Sequence, residues 1–143
     1  MAHREIKLYI FDLDGVVYRG SEPVNGAVET IGSLQEDGNK VYFLTNNATM
    51  NRQSFVNKLG RIGIHTTADC VMTSAYATAL YLARSHPGSR VMVIGEEGLR
   101  HELSGVGMKI SYAPDKTDFV VAGLDKSFTY KKLTQAHRAI NRG

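Results

Sequence analysis

Apolar and polar residues follow one another in blocks that predict alternating strands and helices. Apolar runs at residues 8–11 and 40–45 have the length of β-strands, and Val28, Ile31 and Leu34 recur between them at helical spacing. Two parallel strands joined by a helix form a right-handed βαβ unit. The first run has the composition of a central parallel strand that is covered on both faces.

The same alternation continues to the end of the chain. Phe55, Leu59 and Ile62 share a helix face, and the later segments predict strands at 71–73, 91–94, 109–112 and 119–122, helices at 75–83 and 99–103, and a final helix with Tyr130, Leu133, His137 and Ile140 on one face. The predicted fold class is α/β with a parallel sheet. The polar segment 65–69 is the best candidate for a domain boundary, giving domains at 1–69 and 70–143.

Turn and cap residues refine the first unit. Residues 18–24 contain Gly20, Ser21 and Pro23, which predict a loop. Asn25 is a suitable N-cap for the following helix, and Gly38 is a suitable C-terminal stop.

Composition narrows the classes of partner. The chain has 143 residues, of which 43% are hydrophobic and 22% charged, and it carries a net charge of +3. Because the basic residues are scattered, with Lys131 and Lys132 the longest basic run, no nucleic-acid partner is expected. No apolar leader or run of about 18 apolar residues is visible, so no membrane partner is expected. The single cysteine, Cys70, is expected to be a small buried hydrophobe in a cytoplasmic protein.

Two acidic residues directly follow the first predicted strand. Asp12 and Asp14 are two positions apart, so an extended chain directs both side chains to one side, and Gly15 then permits a sharp turn. Ligands bind at the carboxyl ends of parallel strands. Neighbouring carboxylates repel unless a cation or a shared proton compensates, which indicates a metal site or an acid/base pair. A solvated Asp-Gly turn is the structural alternative.

Polar residues also follow the second strand. Thr45, Asn46 and Asn47 supply a hydroxyl and two amides just before Asn51, a candidate helix cap. Neutral donors beside a helix N-terminus suit a phosphate group. The alternative is a polar turn in which Thr and Asn act only as caps.

These two motifs together resemble those of a known family. Residues 12–18, with the sequence DLDGVVY, resemble the first motif of the haloacid dehalogenase (HAD) superfamily, and residues 45–47 resemble its second motif. The form of the second motif is similar to that of NagD-like phosphatases, a group that includes the 4-nitrophenylphosphatases and phosphoglycolate phosphatases. The resemblance continues through residues 72–75, 91–96 and 118–125, and so covers essentially the whole chain.

The resemblance implies a fold and a chemistry. Residues 1–69 would be the N-terminal part of a Rossmann-like core, and residues 70–143 part of an α/β cap. The activity would be magnesium-dependent hydrolysis of small phosphorylated metabolites through an aspartyl-phosphate. Asp12 would be the nucleophile and Asp14 the general acid/base, and both would bind Mg²⁺. The phosphate would be held by Thr45, Asn46 and Asn47, together with Leu13 and Gly15.

Two pieces of the family pattern are missing. After its cap the family has a Lys that steadies the phosphate and an acidic motif that completes the metal shell, whereas Asp115 and Asp118 precede a strand and fit a loop. The lysines without the expected context are Lys58, Lys109, Lys126, Lys131 and Lys132. We therefore expect the N-terminal part of a longer phosphatase, whose uncovered sheet edges favour a homo-oligomer. The alternative is a non-catalytic phosphate-binding module, or a subunit that completes its site with another chain. A receiver-type signalling domain is disfavoured, because its acidic strand lies deeper in the chain.

Overall fold

The computed structural model describes residues 7–142 and confirms the α/β prediction. Its strands are β1 (Leu8–Asp12), β2 (Tyr18–Arg19), β3 (Glu22–Pro23), β4 (Lys40–Thr45), β5 (Val71–Thr73), β6 (Arg90–Ile94), β7 (Lys109–Ile110) and β8 (Phe119–Ala122). Its helices are α1 (Ala27–Glu36), α2 (Arg52–Arg61), α3 (Ser74–Ser85), α4 (Glu97–Gly105) and α5 (Tyr130–Ile140), with 3₁₀ turns at Ala68–Cys70 and Pro114–Lys116. No described helix has the length and apolarity that a membrane span requires.

The chain divides into two compact units. The first runs to Thr45 and resumes over Arg52–Met72, while the second contains Asn46–Asn51 and the chain from Thr73 onward. The short segment Asn46–Asn51 therefore leaves the first unit directly after β4 and packs with the second.

The first unit is built on a three-stranded sheet in the order β1-β4-β5. β1 and β4 are parallel, with Leu8 opposite Lys40 and Asp12 opposite Leu44, as the predicted βαβ unit requires. The carboxyl ends of β1 and β4 consequently lie side by side.

The prediction that β1 is covered on both faces is wrong. Leu8 is 57% and Ile10 61% exposed, whereas Val41 and Phe43 of β4 are buried. Among residues 7–142, β1 is an edge strand and only one face of this sheet is covered. An apolar run indicates a strand, but it does not report which residues elsewhere will cover each face.

The segment between β1 and α1 also differs from the expected loop. β2 and β3 pair as a small antiparallel hairpin, with Tyr18 opposite Pro23. The N-cap of α1 is Gly26, at φ 79°, and not Asn25. The hairpin fixes the entry into the helix because Val24 N donates to Val17 O at 2.9 Å, so the left-handed residue falls at the glycine. Gly38, at φ 78°, ends α1 as predicted.

The second unit contains a three-stranded parallel sheet in the order β7-β6-β8. Its main core is formed by buried residues of α3, β6 and α4, which include Ala79, Leu82, Val91, Val93, Leu99 and Leu103. Cys70, which belongs to the first unit, is half-buried and not fully buried as predicted, and Thr67 Oγ1 donates to its Sγ at 3.8 Å.

Helix α5 packs through a different face from the one its large side chains suggest. Tyr130 is 82% exposed and Ile140 64%, while Ala136 and Ala139 are buried in a cluster with Met92. Met92 lies on β6, so the small residues of α5 face this strand. The apolar stripe predicted from Tyr130 to Ile140 therefore exists, but it faces away from the core of this unit.

Candidate active site

A tight turn at the carboxyl end of β1 holds the acidic motif. Leu13 O accepts hydrogen bonds from the amides of Val17 and Tyr18 at 3.0 and 3.2 Å, and Gly15 N donates to Tyr18 O at 2.7 Å. Gly15 has φ 87°, a left-handed conformation that favours glycine, so the predicted sharp turn is present.

This turn presents two carboxylates to solvent. Leu13 is fully buried, whereas Asp12 and Asp14 on either side of it are exposed. Asp12 Oδ1 accepts a hydrogen bond from Leu13 N at 2.8 Å, which orients this carboxylate at the strand end. The burial of Leu13 anchors the backbone between the two acids, so that both remain accessible to a ligand.

Tyr18 and Lys58 lie beside the acidic turn, and neither was assigned a role from the sequence. Lys58 Nζ is 3.4 Å from the centroid of the Tyr18 ring, which is a cation–π contact. Burial raises the pKa of the Tyr18 phenol, and the charges of Asp14 and Asp12 raise it further. Burial lowers the pKa of Lys58, while the charge of Asp14 opposes that shift. No local pattern in the sequence indicated this contact, because Tyr18 and Lys58 are far apart along the chain.

Thr45 occupies the matching end of β4. Asp12 pairs with Leu44, so Thr45 lies one position beyond it on the adjacent strand. Its side chain belongs to the covered side of the sheet and is 3% exposed, in contrast to that of Asp12. The register thus brings Asp12 and Thr45 to the carboxyl ends of neighbouring strands, where Asp12 is exposed and Thr45 is buried.

Asn46 and Asn47 begin the segment Asn46–Asn51, which we call the asparagine loop. Asn46 is exposed. Asn47 Oδ1 accepts hydrogen bonds from Thr49 N at 2.9 Å and from Thr49 Oγ1 at 2.7 Å. The oxygen of Asn47 is therefore engaged in shaping the loop, and Asn46 is better exposed to meet a ligand.

The donor set of the acidic turn fits a hard divalent cation. Asp12 and Asp14 offer carboxylate oxygens, the ligand type that Mg²⁺ and Ca²⁺ prefer. Over residues 7–142 no group of three or more His, Cys, Asp or Glu side chains could hold a metal. The residues present can thus supply part of a coordination shell.

Two charged residues that lacked the sequence context of the missing family motifs, Asp118 and Lys132, form ion pairs within the second unit. Asp118 pairs with Arg90, whose Nη2 lies 2.8 Å from Asp118 Oδ1, and this contact lowers the pKa of the Asp118 carboxyl to about 2. Lys132 Nζ lies 2.7 Å from Asp125 Oδ2. Asp118 and Lys132 are therefore each engaged in an ion pair.

Comparison with known proteins agrees with these motifs. A family profile described as haloacid dehalogenase-like hydrolase matches residues 9–109. The acid sugar phosphatase of Staphylococcus saprophyticus is 36% identical over 140 residues, which are 98% of this chain and 54% of that protein. The p-nitrophenyl phosphatase of Archaeoglobus fulgidus has 35% identity and a TM-score of 0.90, over 96% of this chain and 52% of that one.

A glycerol phosphate phosphatase of Mycobacterium tuberculosis, solved in complex with magnesium, has 35% identity and a TM-score of 0.85. The match covers 95% of this chain and 41% of that chain. This chain spans about half the length of the curated relatives it matches. Since the family profile includes the acidic turn and most of the chain, the protein belongs to the haloacid dehalogenase-like hydrolases.

Proposed function

We propose that this chain carries the nucleophile and phosphate-holding elements of a phosphomonoester hydrolase. The observation that supports it most directly is the pair of exposed carboxylates, Asp12 and Asp14, on either side of the fully buried Leu13 at the end of a parallel strand. Accessible acids at that edge are suited to attack and proton transfer.

In the first step, Asp12 is the nucleophile. A carboxylate oxygen of Asp12 attacks phosphorus, the bond between phosphorus and the ester oxygen breaks, and Asp14 gives its proton to the leaving oxygen. The product alcohol departs and an aspartyl-phosphate remains. The covalent route replaces one difficult displacement with two easier ones.

In the second step, Asp14 takes a proton from water. The water oxygen attacks phosphorus, and the bond to Asp12 breaks, which releases inorganic phosphate and restores both side chains. Asn46 and the backbone beside Thr45 hold the phosphoryl oxygens, with Asn47 maintaining the loop. Positioning and charge complementarity are the main contributions that a protein makes to phosphoryl transfer.

We propose Mg²⁺ as the cation, held by the Asp12 carboxylate and the backbone carbonyl of Asp14. When bound, it would neutralise charge on the phosphoryl group. The all-oxygen donor set and the magnesium complex of the glycerol phosphate phosphatase support this choice.

The substrate class is a small phosphomonoester. The relatives are named acid sugar phosphatase, p-nitrophenyl phosphatase and glycerol phosphate phosphatase, and these names share a phosphate ester of a small sugar, phenol or alcohol. Residues 70–143 would form part of a cap that selects among such esters, while the Asp12 region performs the chemistry.

The test is a single-turnover labelling experiment on the purified chain. The chain is mixed with Mg²⁺ and a small aryl phosphate that carries ³²P, and protein-bound label is measured after acid quenching. Label is expected on the wild type and absent from Asp12→Asn. Asp69→Asn, which changes an exposed acid of the same unit, is the matched control and should label like the wild type. Label that forms equally without Asp12 would refute the assignment.

A non-catalytic phosphate-binding module is the second candidate. This alternative is favoured because Asp12 and Asp14 are only two acids, and the described residues form no group of three or more acidic, His or Cys side chains that could hold a metal. Phosphate binding at the asparagine loop without any label on Asp12 would identify this alternative.

A further inference from the structure

The asparagine loop is held from two sides by residues that the proposed chemistry does not use. Ser74 Oγ, at the start of α3, donates a hydrogen bond to Asn46 O at 2.7 Å. Gly98 N, in the first turn of α4, donates to Thr49 O at 3.2 Å. All four residues belong to the second unit.

Gly98 also permits a close approach of two backbones. A Cβ atom added at this position would lie 2.5 Å from Met50 Cα, well inside the 3.0 Å that real Cβ atoms keep. The obstructing atoms are backbone and not the end of a flexible side chain, so any larger residue must displace the loop. Gly98 is buried, and its absent side chain is what allows Met50 to sit against α4.

The loop transmits these constraints because it is internally tied. Asn47 Oδ1 binds both the amide and the hydroxyl of Thr49, which links the residue next to Asn46 to the residue that Gly98 holds. Fixing Asn46 O at one end and Thr49 O at the other therefore fixes the direction of the intervening backbone.

We propose that Ser74 and Gly98 are positioning residues that set the asparagine loop so that Asn46 can meet the phosphate. This inference rests on the proposed function for the role of Asn46, whereas the two contacts stand independently of it. Ser74 acts by a hydrogen bond that a hydroxyl can supply, and Gly98 acts by the absence of a side chain.

The experiment compares Gly98→Ala with Gly105→Ala. Both glycines lie in α4, near its opposite ends, and a Cβ at Gly105 meets nothing within 4 Å. Both variants therefore replace a helical glycine with alanine, but only Gly98→Ala creates a clash. Inorganic phosphate is titrated into ¹⁵N-labelled chain, and the shifts of Asn46 and Asn47 give the affinity. Gly98→Ala should weaken phosphate binding about tenfold or more, and Gly105→Ala should leave it unchanged.

Ser74 provides a second, milder variant in case Gly98→Ala does not fold. Loss of one hydrogen bond predicts an affinity about two- to tenfold weaker for Ser74→Ala, and Ser74→Thr, which keeps the hydroxyl, should restore it. A merely structural role would lower the melting temperature of Ser74→Ala without changing phosphate affinity where the chain is folded.

Amide hydrogen exchange separates failure of this inference from failure of the proposed function. Exchange at Thr49 and at position 98 should accelerate in Gly98→Ala and stay unchanged in Gly105→Ala, with or without phosphate. Unchanged exchange and affinity in Gly98→Ala would overturn the positioning role. A wild-type chain that shows no phosphate-dependent shift at Asn46 would refute the phosphate role of the loop, while its exchange rates would still test the two contacts.

Discussion

Leu13 offers a quantitative test of how the acidic turn is held, because the same substitution can be made at two sites of different burial. Leu13 is fully buried between the two exposed acids, whereas Leu8, at the start of the preceding strand β1, is 57% exposed. Removing a fully buried leucine side chain to alanine costs about 2–5 kcal/mol, since lost transfer energy and a cavity add together. A largely exposed position usually changes stability by less than about 0.5 kcal/mol. Leu13→Ala should therefore be the more destabilising variant by at least about 1.5 kcal/mol.

The assay is urea unfolding followed by the NMR amide signals of Val41 and Phe43, which are buried in β4 and report on the first unit. Leu13→Ala should shift their transition midpoint to lower urea, and Leu8→Ala should leave it close to the wild-type value. Each kcal/mol corresponds to about 4–8 °C in the melting temperature of a domain of 60–100 residues, so a thermal scan gives an independent reading. Equal midpoints for the two variants would refute the argument that burial of Leu13 anchors the turn.

Three further predictions concern proton transfer, the metal and pH. Asp14→Asn should lower turnover about 10²–10⁴-fold while leaving magnesium affinity nearly intact, because the proposed metal contact of Asp14 is through its backbone. A steady-state assay measures turnover and isothermal titration measures magnesium affinity. Lost magnesium binding with normal turnover would contradict the role of Asp14 as general acid/base. Thorough chelation should abolish formation of the Asp12 label, Mg²⁺ should restore it, and restoration by Zn²⁺ alone would count against an all-oxygen site. The folded-state pKa of Asp118, about 2, lies below its ordinary 3.8, so its contribution to stability is complete above that ordinary value and is lost as pH falls toward 2. Acid titration of unfolding should accordingly show a smaller loss for Asp118→Asn than for the wild type, and identical acid profiles would show that the contact with Arg90 is not stabilising.

The order of elements could be predicted because the signals for it are local. The bounds of β4, β5 and β8 agree with the predicted strands, and Gly15 and Gly38 adopt the left-handed conformations expected at a turn and at a helix end. The acids after β1 and the polar residues after β4 were found for the same reason. In a βαβ unit, parallel pairing brings the carboxyl ends of both strands to one edge of the sheet. The order of the elements was therefore enough to predict that these residues would lie near one another.

Coverage of each face was decided by tertiary packing. An apolar residue such as Ile10 or Tyr130 shows that a segment can be buried, but burial needs a partner surface, and these two are exposed. Helix α5 instead packs through Ala136 and Ala139, because small side chains allow closer contact with Met92 than large ones would. Hydrophobic size along one helix carries no information about the shape of its partner.

The sequence by itself therefore determined the fold class, the family and the position of the acidic turn, since each depends on neighbouring residues in the chain. Only the tertiary structure revealed that Lys58 lies over Tyr18, and that Gly98 and Ser74 hold the asparagine loop. These contacts join residues far apart in the sequence, and their distances depend on how whole helices pack. A glycine whose Cβ would strike Met50 looks the same in the sequence as Gly105, which has open space around it, because the difference lies entirely in the backbone that folding brings to its side.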